Sequence, residues 1–428
     1  MITTALLTLL LLMALAVPVA ASMGMLGMIL AQLYAFLPVS KVAGEIAWTS
    51  SNEFLLVALP LFILLGELLL RSGLAERMYD ALAKWLSWLP GGLMHSNIAA
   101  CALFAATSGS SVATAATVGT VALPQARRYG YSERLFLGTL AAGGTLGILI
   151  PPSINMIIYA VLTNTSVPKL YLAGIIPGIL LSLGFMVVVL VACMIQPSWG
   201  GQRLRASLAS CIASLVHLVP PLGIFLVVVG SIYAGIATPT EAASLGVVAG
   251  LGLAAANRAL NWPMLREALL GTMKSTAMIM FIVVAAYFLN FVMSSIGLTT
   301  KLTDFMQGLG LSKWEMLFAV VVFYVILGCF METLSMMITT IPIIAPVMQA
   351  LGFDMVWFGI VIIVLVETAL ITPPVGLNLF VVQNLRKSGS MNDVIIGAMP
   401  FVAAMFALLL LLALFPGLAL WLPTVITS

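Results

Sequence analysis

Charge is what this sequence has least of. Only 7% of its 428 residues are Asp, Glu, Lys or Arg, where a soluble domain carries about 25%. With 62% hydrophobic residues, too little polar surface exists to wrap a water-soluble body of this size. Histidine is nearly absent: His95 and His217 stand alone, which argues against a histidine-bound transition metal or a nucleophile triad. Cys101, Cys193, Cys211 and Cys329 sit singly in apolar stretches. That is neither a disulfide framework nor a zinc pattern, and they read as small buried side chains. No Gly-x-x-x-x-Gly-Lys-Ser/Thr loop, His-Glu-x-x-His motif or series of arginines is present, so nucleotide hydrolysis, zinc proteolysis and voltage sensing lack their sequence basis. The net charge of +3 is scattered over loops with no basic tract, which leaves nucleic acid without an electrostatic footprint. Neither an enzyme nor a cofactor is expected.

What is there suits a bilayer. A spanning helix takes about 20 apolar residues, and the chain has room for about ten to twelve of them. Hydropathy predicts helices over 5–30, 54–70, 135–148, 171–195, 211–233, 242–257, 275–293, 315–330, 355–371 and 395–421. The N-terminus offers a small-residue stretch at Val17 to Ser22, but it has no positive leader region and its apolar run continues to Leu30. It is read as a membrane helix rather than a signal peptide. Gln32 to Glu53, with Pro38, Lys41, Glu45 and Trp48, reads as an interfacial stretch. Arg71 to Lys84 alternates charges with Leu74, Met78 and Leu82, as an arm along the membrane surface would. Basic residues cluster in loops at Arg127, Arg128 and Arg134, at Arg203 and Arg205, at Arg258, Arg266 and Lys274, and at Arg386 and Lys387. Thr238-Pro239-Thr240-Glu241 has the pattern of a helix start, with Thr238 or Thr240 as cap.

The most informative feature is an internal repeat. Thr117 to Pro124, Tyr129-Gly130-Tyr131 and Leu149-Ile150-Pro151-Pro152 return as Thr339 to Pro346, Leu351-Gly352-Phe353 and Ile371-Thr372-Pro373-Pro374. Pro124 pairs with Pro346, Gly130 with Gly352 and Pro151 with Pro373, all at a shift of 222 residues; Asn155 and Asn378 follow within one position. Duplicated halves with Gly/Pro-interrupted hydrophobic segments point to a transporter site near the bilayer midplane. Two prolines remove two backbone donors. The freed carbonyls are tolerated only against protein or a watery cavity, where they can hold a cation. Gly143 to Gly147 before Pro151, and Thr372 to Asn378, have this character, with a plain proline kink as the alternative.

Upstream of each break lies a candidate hairpin. In the first half it runs from Leu93 to Leu123, with Thr107-Ser108-Gly109-Ser110-Ser111 at its tip. Small polar residues at that depth avoid lipid at a re-entrant tip, or else stitch a helix interface. The equivalent second tip is Met331-Glu332-Thr333. Glu332 interrupts an apolar run, and so does Glu367, which falls at the repeat equivalent of Thr145. Intramembrane carboxylates are functional candidates; for Glu332, ion or proton coupling and a structural polar partner both fit. Arg127-Arg128 after Pro124 reads as a solvated loop, with attraction of an anion as the second reading.

At these residues the sequence resembles the large membrane subunit of the tripartite ATP-independent periplasmic (TRAP) transporters. The matching stretches are Gly66-Glu67 to Ala75, Ser108 to Ala115, Gly143 to Ser153, Gly235 to Ala243 and Thr372 to Leu379, in order over nearly the whole chain. The resemblance implies an all-α polytopic membrane protein of two inverted-topology repeats. Each repeat would have a re-entrant helical hairpin and a broken helix, in an elevator-type ion-transporter fold. Residues 1–90 would be scaffold helices and the arm, 91–170 the first transport half, 171–313 scaffold and connecting arm, 314–390 the second transport half, and 391–428 a final membrane helix. It implies sodium-driven import of an organic acid, such as a dicarboxylate or sialic acid, in the bacterial inner membrane. A periplasmic substrate-binding protein would deliver the acid, and a small four-helix membrane subunit, too large to be included in this chain, would be a partner. By that likeness, one sodium would lie between Ser108, Gly109, Ser110 and Ser111 and Gly144, Thr145 and Gly147. Another would lie between Met331, Glu332 and Thr333 and Thr372, Pro373 and Gly376. Substrate would lie near Ser153, Asn155 and Asn378. A stand-alone sodium- or proton-coupled carboxylate carrier is the competing reading, and an ion channel the third.

Overall fold

The structure is a computed structural model. It describes every residue except 16, 36–38, 205, 299, 302–303, 305–307, 309, 329–330, 387 and 428, and omits the side chains of 13, 14, 40, 107 and 427. Pro38, Arg205, Cys329 and Lys387 therefore lie outside the described residues, as does the side chain of Thr107. Among the described residues every regular element is helical. Among the described residues six helices are long and apolar enough to cross a membrane, or up to eight if each of two bent pairs counts as one span.

The two halves repeat the same order of elements. The first hairpin is Gly92–Ser108 and Ser111–Arg128, followed by a broken helix, Glu133–Leu149 and Ile154–Thr163. The second hairpin is Lys313–Leu327 and Thr333–Ala350, followed by Met355–Ile371 and Leu377–Arg386. The buried core of each broken helix is continuous, from Leu135 to Leu149 and from Trp357 to Ile371, with both ends shifted by 222 residues. Pro151-Pro152 and Pro373-Pro374 end these first segments, and the first pair of segments bends by 43°. The loss of two backbone donors at each pair forces the break.

The halves interlock. Leu377–Arg386 packs on Ser111–Arg128 of the first hairpin, and Thr333–Ala350 of the second hairpin packs on Ile154–Thr163. The trailing segment of each broken helix thus serves the opposite hairpin. Around this centre, Ala58–Arg71, Pro239–Ala256 and Trp262–Ser295 pack together, and Val19–Tyr34 lies on the last of these. The arm is a helix, Leu74–Leu86, whose Leu74, Met78 and Leu82 are buried. Thr238 caps Pro239–Ala256 in a reciprocal capping box with Glu241.

Three predicted spans differ in the structure. Residues 5–30 form two helices, Ile2–Ala14 and Val19–Tyr34, because Pro18 cannot donate to the preceding turn. Residues 211–233 lie in several pieces from Leu208 to Tyr233, with Pro220 and Pro221 opening the middle piece and a 40° bend. The last span stops at Leu414, where Phe415 is non-helical before Pro416, and resumes as Gly417–Thr427. The third follows the rule that a residue preceding proline is pushed out of the helical region. Hydropathy sees none of these breaks because the flanking residues are apolar.

Candidate translocation site

The first hairpin turns at Gly109, whose φ of +62° is a left-handed conformation that costs glycine nothing. Ser110 then caps the second limb, its Oγ accepting from Ala113 N at 3.4 Å. The tip is laced internally: Thr114 Oγ1 donates to Ser110 O at 2.7 Å and lies 3.0 Å from Ser108 Oγ. The second tip is built alike. Glu332 stands at the repeat equivalent of Ser110 and caps Thr333–Ala350, accepting from Ser335 N at 3.1 Å. Thr333 Oγ1 donates to its other carboxylate oxygen at 3.1 Å.

Each tip sits on its broken helix through a residue with little or no side chain. Gly147 lies under the first tip: a Cβ there would come 2.7 Å from Ser110 O and 2.9 Å from Ser111 N. A Cβ on Gly144 would come 3.1 Å from Ser111 O and 3.0 Å from Asn378 Nδ2. In the second half the small partner changes sides, with Gly328 of the hairpin against Ala369, the equivalent of Gly147. Thr145 is fully buried, and its hydroxyl donates to Ala142 O at 2.6 Å. Thr372 Oγ1 donates to Thr368 O at 2.7 Å, and Gly376 turns with φ +56°. Pro373 and Met331 are half-buried.

Both tips meet over one cavity of about 70 Å³, lined by Gly109, Ser110, Ser111 and Val112 from the first hairpin and Glu332, Thr333 and Leu334 from the second. Ile148, Ile154 and Asn155 of one broken helix and Leu370 and Leu377 of the other complete it. Asn155 is buried, and its Nδ2 has no hydrogen-bond partner among the described residues. Asn378 and Ser153 do not line this cavity. Asn378 Nδ2 donates to Ala141 O at 3.3 Å, and its buried Oδ1 is unpaired among the described residues. Ser153 caps Ile154–Thr163 through Met156 N. The donor set around the tips consists of hydroxyl, carbonyl and amide oxygens and two carboxylates, all hard ligands suited to a group-one or group-two cation rather than a transition metal.

Residues 6–418 match the family described as the DctM component of the tripartite ATP-independent periplasmic transporter. The chain belongs to this family. It is a TRAP large permease subunit and a multi-pass protein of the bacterial inner membrane. It is 36% identical to the C4-dicarboxylate TRAP transporter large permease protein DctM of Pseudomonas aeruginosa, over 87% of each chain. It is 30% identical to the sialic acid TRAP transporter large permease protein SiaM of Vibrio cholerae, again over 87% of each. Among solved structures, the YdaH transporter of Alcanivorax borkumensis shares the fold, with a TM-score of 0.62 at 15% identity, covering 96% of this chain and 99% of that one.

Sequence reasoning noticed Glu367 but gave it no place in a site. In the permease it is fully buried and accepts from Ser111 Oγ at 2.9 and 2.8 Å, a contact between residues 256 apart in sequence. Thr114 is noticed only within the stretch Ser108 to Ala115 and as a small packing residue, and Gly328 is missed. The glycine opposite a hairpin tip was a readable signal; the threonine lacing was not.

At the far end of the first hairpin lies a larger cavity of about 840 Å³, bordered by Arg127, Glu133, Asn384 and Arg386. Arg127 Nη2 donates to Ser388 Oγ at 3.2 Å. Arg386, its side chain 6% exposed, donates to Glu133 at 2.7 Å and to Asp393 at 3.2 Å, and Asp393 also accepts from Arg134 at 2.8 Å. This cluster ties both broken helices to Met391–Leu414. Arg386→Met leaves two carboxylates short of a partner. It should lower stability by about 1.5–3 kcal/mol, the usual cost of losing a charged hydrogen bond, read as a lower unfolding midpoint in detergent. Arg386→Lys should recover only part of the loss, because a point charge replaces a two-sided fork.

Proposed function

We propose that the permease imports an organic acid by symport with sodium, in a complex with a small membrane subunit and with the acid handed over by a periplasmic binding protein. One observation carries this reading: the tips of the two hairpins, one from each half, close over a single cavity between the two broken helices. Asn155 is among the residues lining that cavity, and its buried amide nitrogen has no partner among the described residues. The helices starting at Ser111, Thr333 and Ile154 begin there, and helix N-termini favour anions. Sodium would be held on the oxygens of Ser108 to Ser111 beside Gly144, Thr145 and Gly147, and on those of Met331 to Thr333 beside Thr372, Pro373 and Gly376.

The cavity is about 70 Å³ and partly open; in this reading the tips part further to admit an organic acid. Cations bound beneath the tips stabilise the closed arrangement, which couples ion and substrate. The hairpins and broken helices would then move together against the remaining helices, as an elevator does. Each net positive charge carried inward across 100 mV contributes about 2.3 kcal/mol. Two or more sodium ions with a monoanion therefore gain from voltage as well as from gradient. C4-dicarboxylates and sialic acids, the substrates named for the relatives, are the first acids to test.

Thermal unfolding in sodium, potassium and choline chloride at equal ionic strength tests the cation. A ligand at a hundredfold excess over its Kd stabilises the folded state by about 2.7 kcal/mol. A rise specific to sodium, reduced in Ser110→Ala or Thr145→Ala, is expected. Equal midpoints in all three salts would remove sodium from the proposal.

A further inference from the structure

Glu367 lies in the middle of a wholly buried helical stretch, and its two carboxylate oxygens share one donor, the hydroxyl of Ser111. Among the described residues no lysine, arginine or histidine pairs with it. One hydroxyl supplies one proton, while a carboxylate has about four acceptor positions. A carboxyl so placed takes up a proton unless a positive charge stands close by. Its one donor, Ser111, belongs to the first hairpin tip, where the reading above places a cation.

The repeat sharpens the point. Ser111 and Thr333 are equivalent positions, and each donates its hydroxyl to a carboxylate. Thr333 uses Glu332 of its own tip. Ser111 reaches across to Glu367 of the other half, because its own half carries Thr145 at the equivalent place and Ser110 where Glu332 stands. Both tips thus end with a hydroxyl polarised by an acid, although the acids occupy different positions in the two halves.

We propose that Glu367 is the counter-charge of the cation held at the first hairpin tip, acting through Ser111. It is a positioning residue: by accepting from Ser111 it turns the hydroxyl oxygen's lone pairs away from itself and makes that oxygen a stronger ligand. An ion in the first half is thereby stabilised by a carboxylate of the second, so cation occupancy fastens the two halves together at the moment of closure. This rests on the sodium reading above.

The test is a sodium titration of the unfolding midpoint of the full chain in detergent, with choline holding ionic strength constant. Wild type, Ser111→Ala, Glu367→Gln and the double variant are compared. Losing a partner that orients a metal ligand costs about 10- to 100-fold in metal affinity. Glu367→Gln should therefore raise the sodium concentration for half-maximal stabilisation at least about tenfold, while its midpoint in choline stays at or above wild type. Adding Ser111→Ala should make matters little worse than the more affected single variant, because the two act as one unit. A purely structural role would instead lower the midpoint in choline and leave the sodium dependence alone, which overturns the proposal; so would additive effects. If Glu367→Gln does not fold, Glu367→Asp keeps the charge but withdraws it from Ser111. It should weaken sodium binding severalfold, and an unchanged titration would overturn the idea. A wild-type chain indifferent to sodium would sink the sodium reading and this inference together. A responsive wild type beside an equally responsive Glu367→Gln sinks only the inference.

Discussion

Gly147→Ala is expected to stop transport in a chain that still folds. The added Cβ would meet Ser110 O at 2.7 Å, Ser110 C at 2.8 Å and Ser111 N at 2.9 Å. These are backbone atoms and cannot rotate away as a side chain would, so the hairpin tip must lift. A tip at the end of a hairpin can lift for about 1–3 kcal/mol of strain, which a chain buried along Leu135–Leu149 can sustain. The site cannot sustain it, because a displacement of about 1 Å at positioned ligands costs on the order of a hundredfold in rate. Uptake should fall by that order, while gel filtration shows a monodisperse peak. Near-normal uptake would mean that the tip does not need its seat on Gly147. The same methyl is already present at Ala369, where Gly328 across from it makes the room.

Gly397→Ala, and equally Gly138→Ala, should act on stability rather than on transport. Glu133–Leu149 crosses Met391–Leu414 so closely that a Cβ at Gly138 would overlap the carbonyl of Gly397, and a Cβ at Gly397 would overlap the carbonyl of Arg134. Helices in lipid associate by packing and gain from small residues that let backbones touch. Both helices must move apart to admit a methyl, along a face that is buried throughout. The cost should reach or exceed about 3 kcal/mol, the upper end for overpacking. Little of either variant should survive purification, and the surviving fraction should unfold well below wild type. Normal yield and midpoint would contradict the tight crossing.

Much of the transporter's plan was legible because proline and glycine are conspicuous in an apolar sequence. Pro151 with Pro373 and Gly130 with Gly352 exposed the duplication, and the small polar run at Ser108 to Ser111 marked a tip. Hydropathy failed where a break lies inside an apolar run, as at Pro18 and Pro416, since it measures composition and not backbone donors. The joining of the halves was not legible at all. Ser111 and Glu367 are 256 residues apart, and no local pattern says that the trailing segment of one broken helix packs on the other hairpin. The same limit applies to the asparagines. Asn155 and Asn378 looked equivalent within one position, yet one lines the cavity and the other packs on Ala141. That one-residue slip rotates a helical side chain by about a quarter of a turn, since a turn takes about 3.6 residues.

The most direct measurement is uptake of labelled C4-dicarboxylates and sialic acid into proteoliposomes that hold the permease with its small subunit, with the binding protein supplied outside. The account predicts that at least one acid accumulates above its external concentration when a sodium gradient points inward. It also predicts that accumulation ends when the gradient is collapsed and that a negative interior enhances it. Accumulation driven equally well by a proton gradient without sodium, or simple equilibration whatever the gradient, would contradict it.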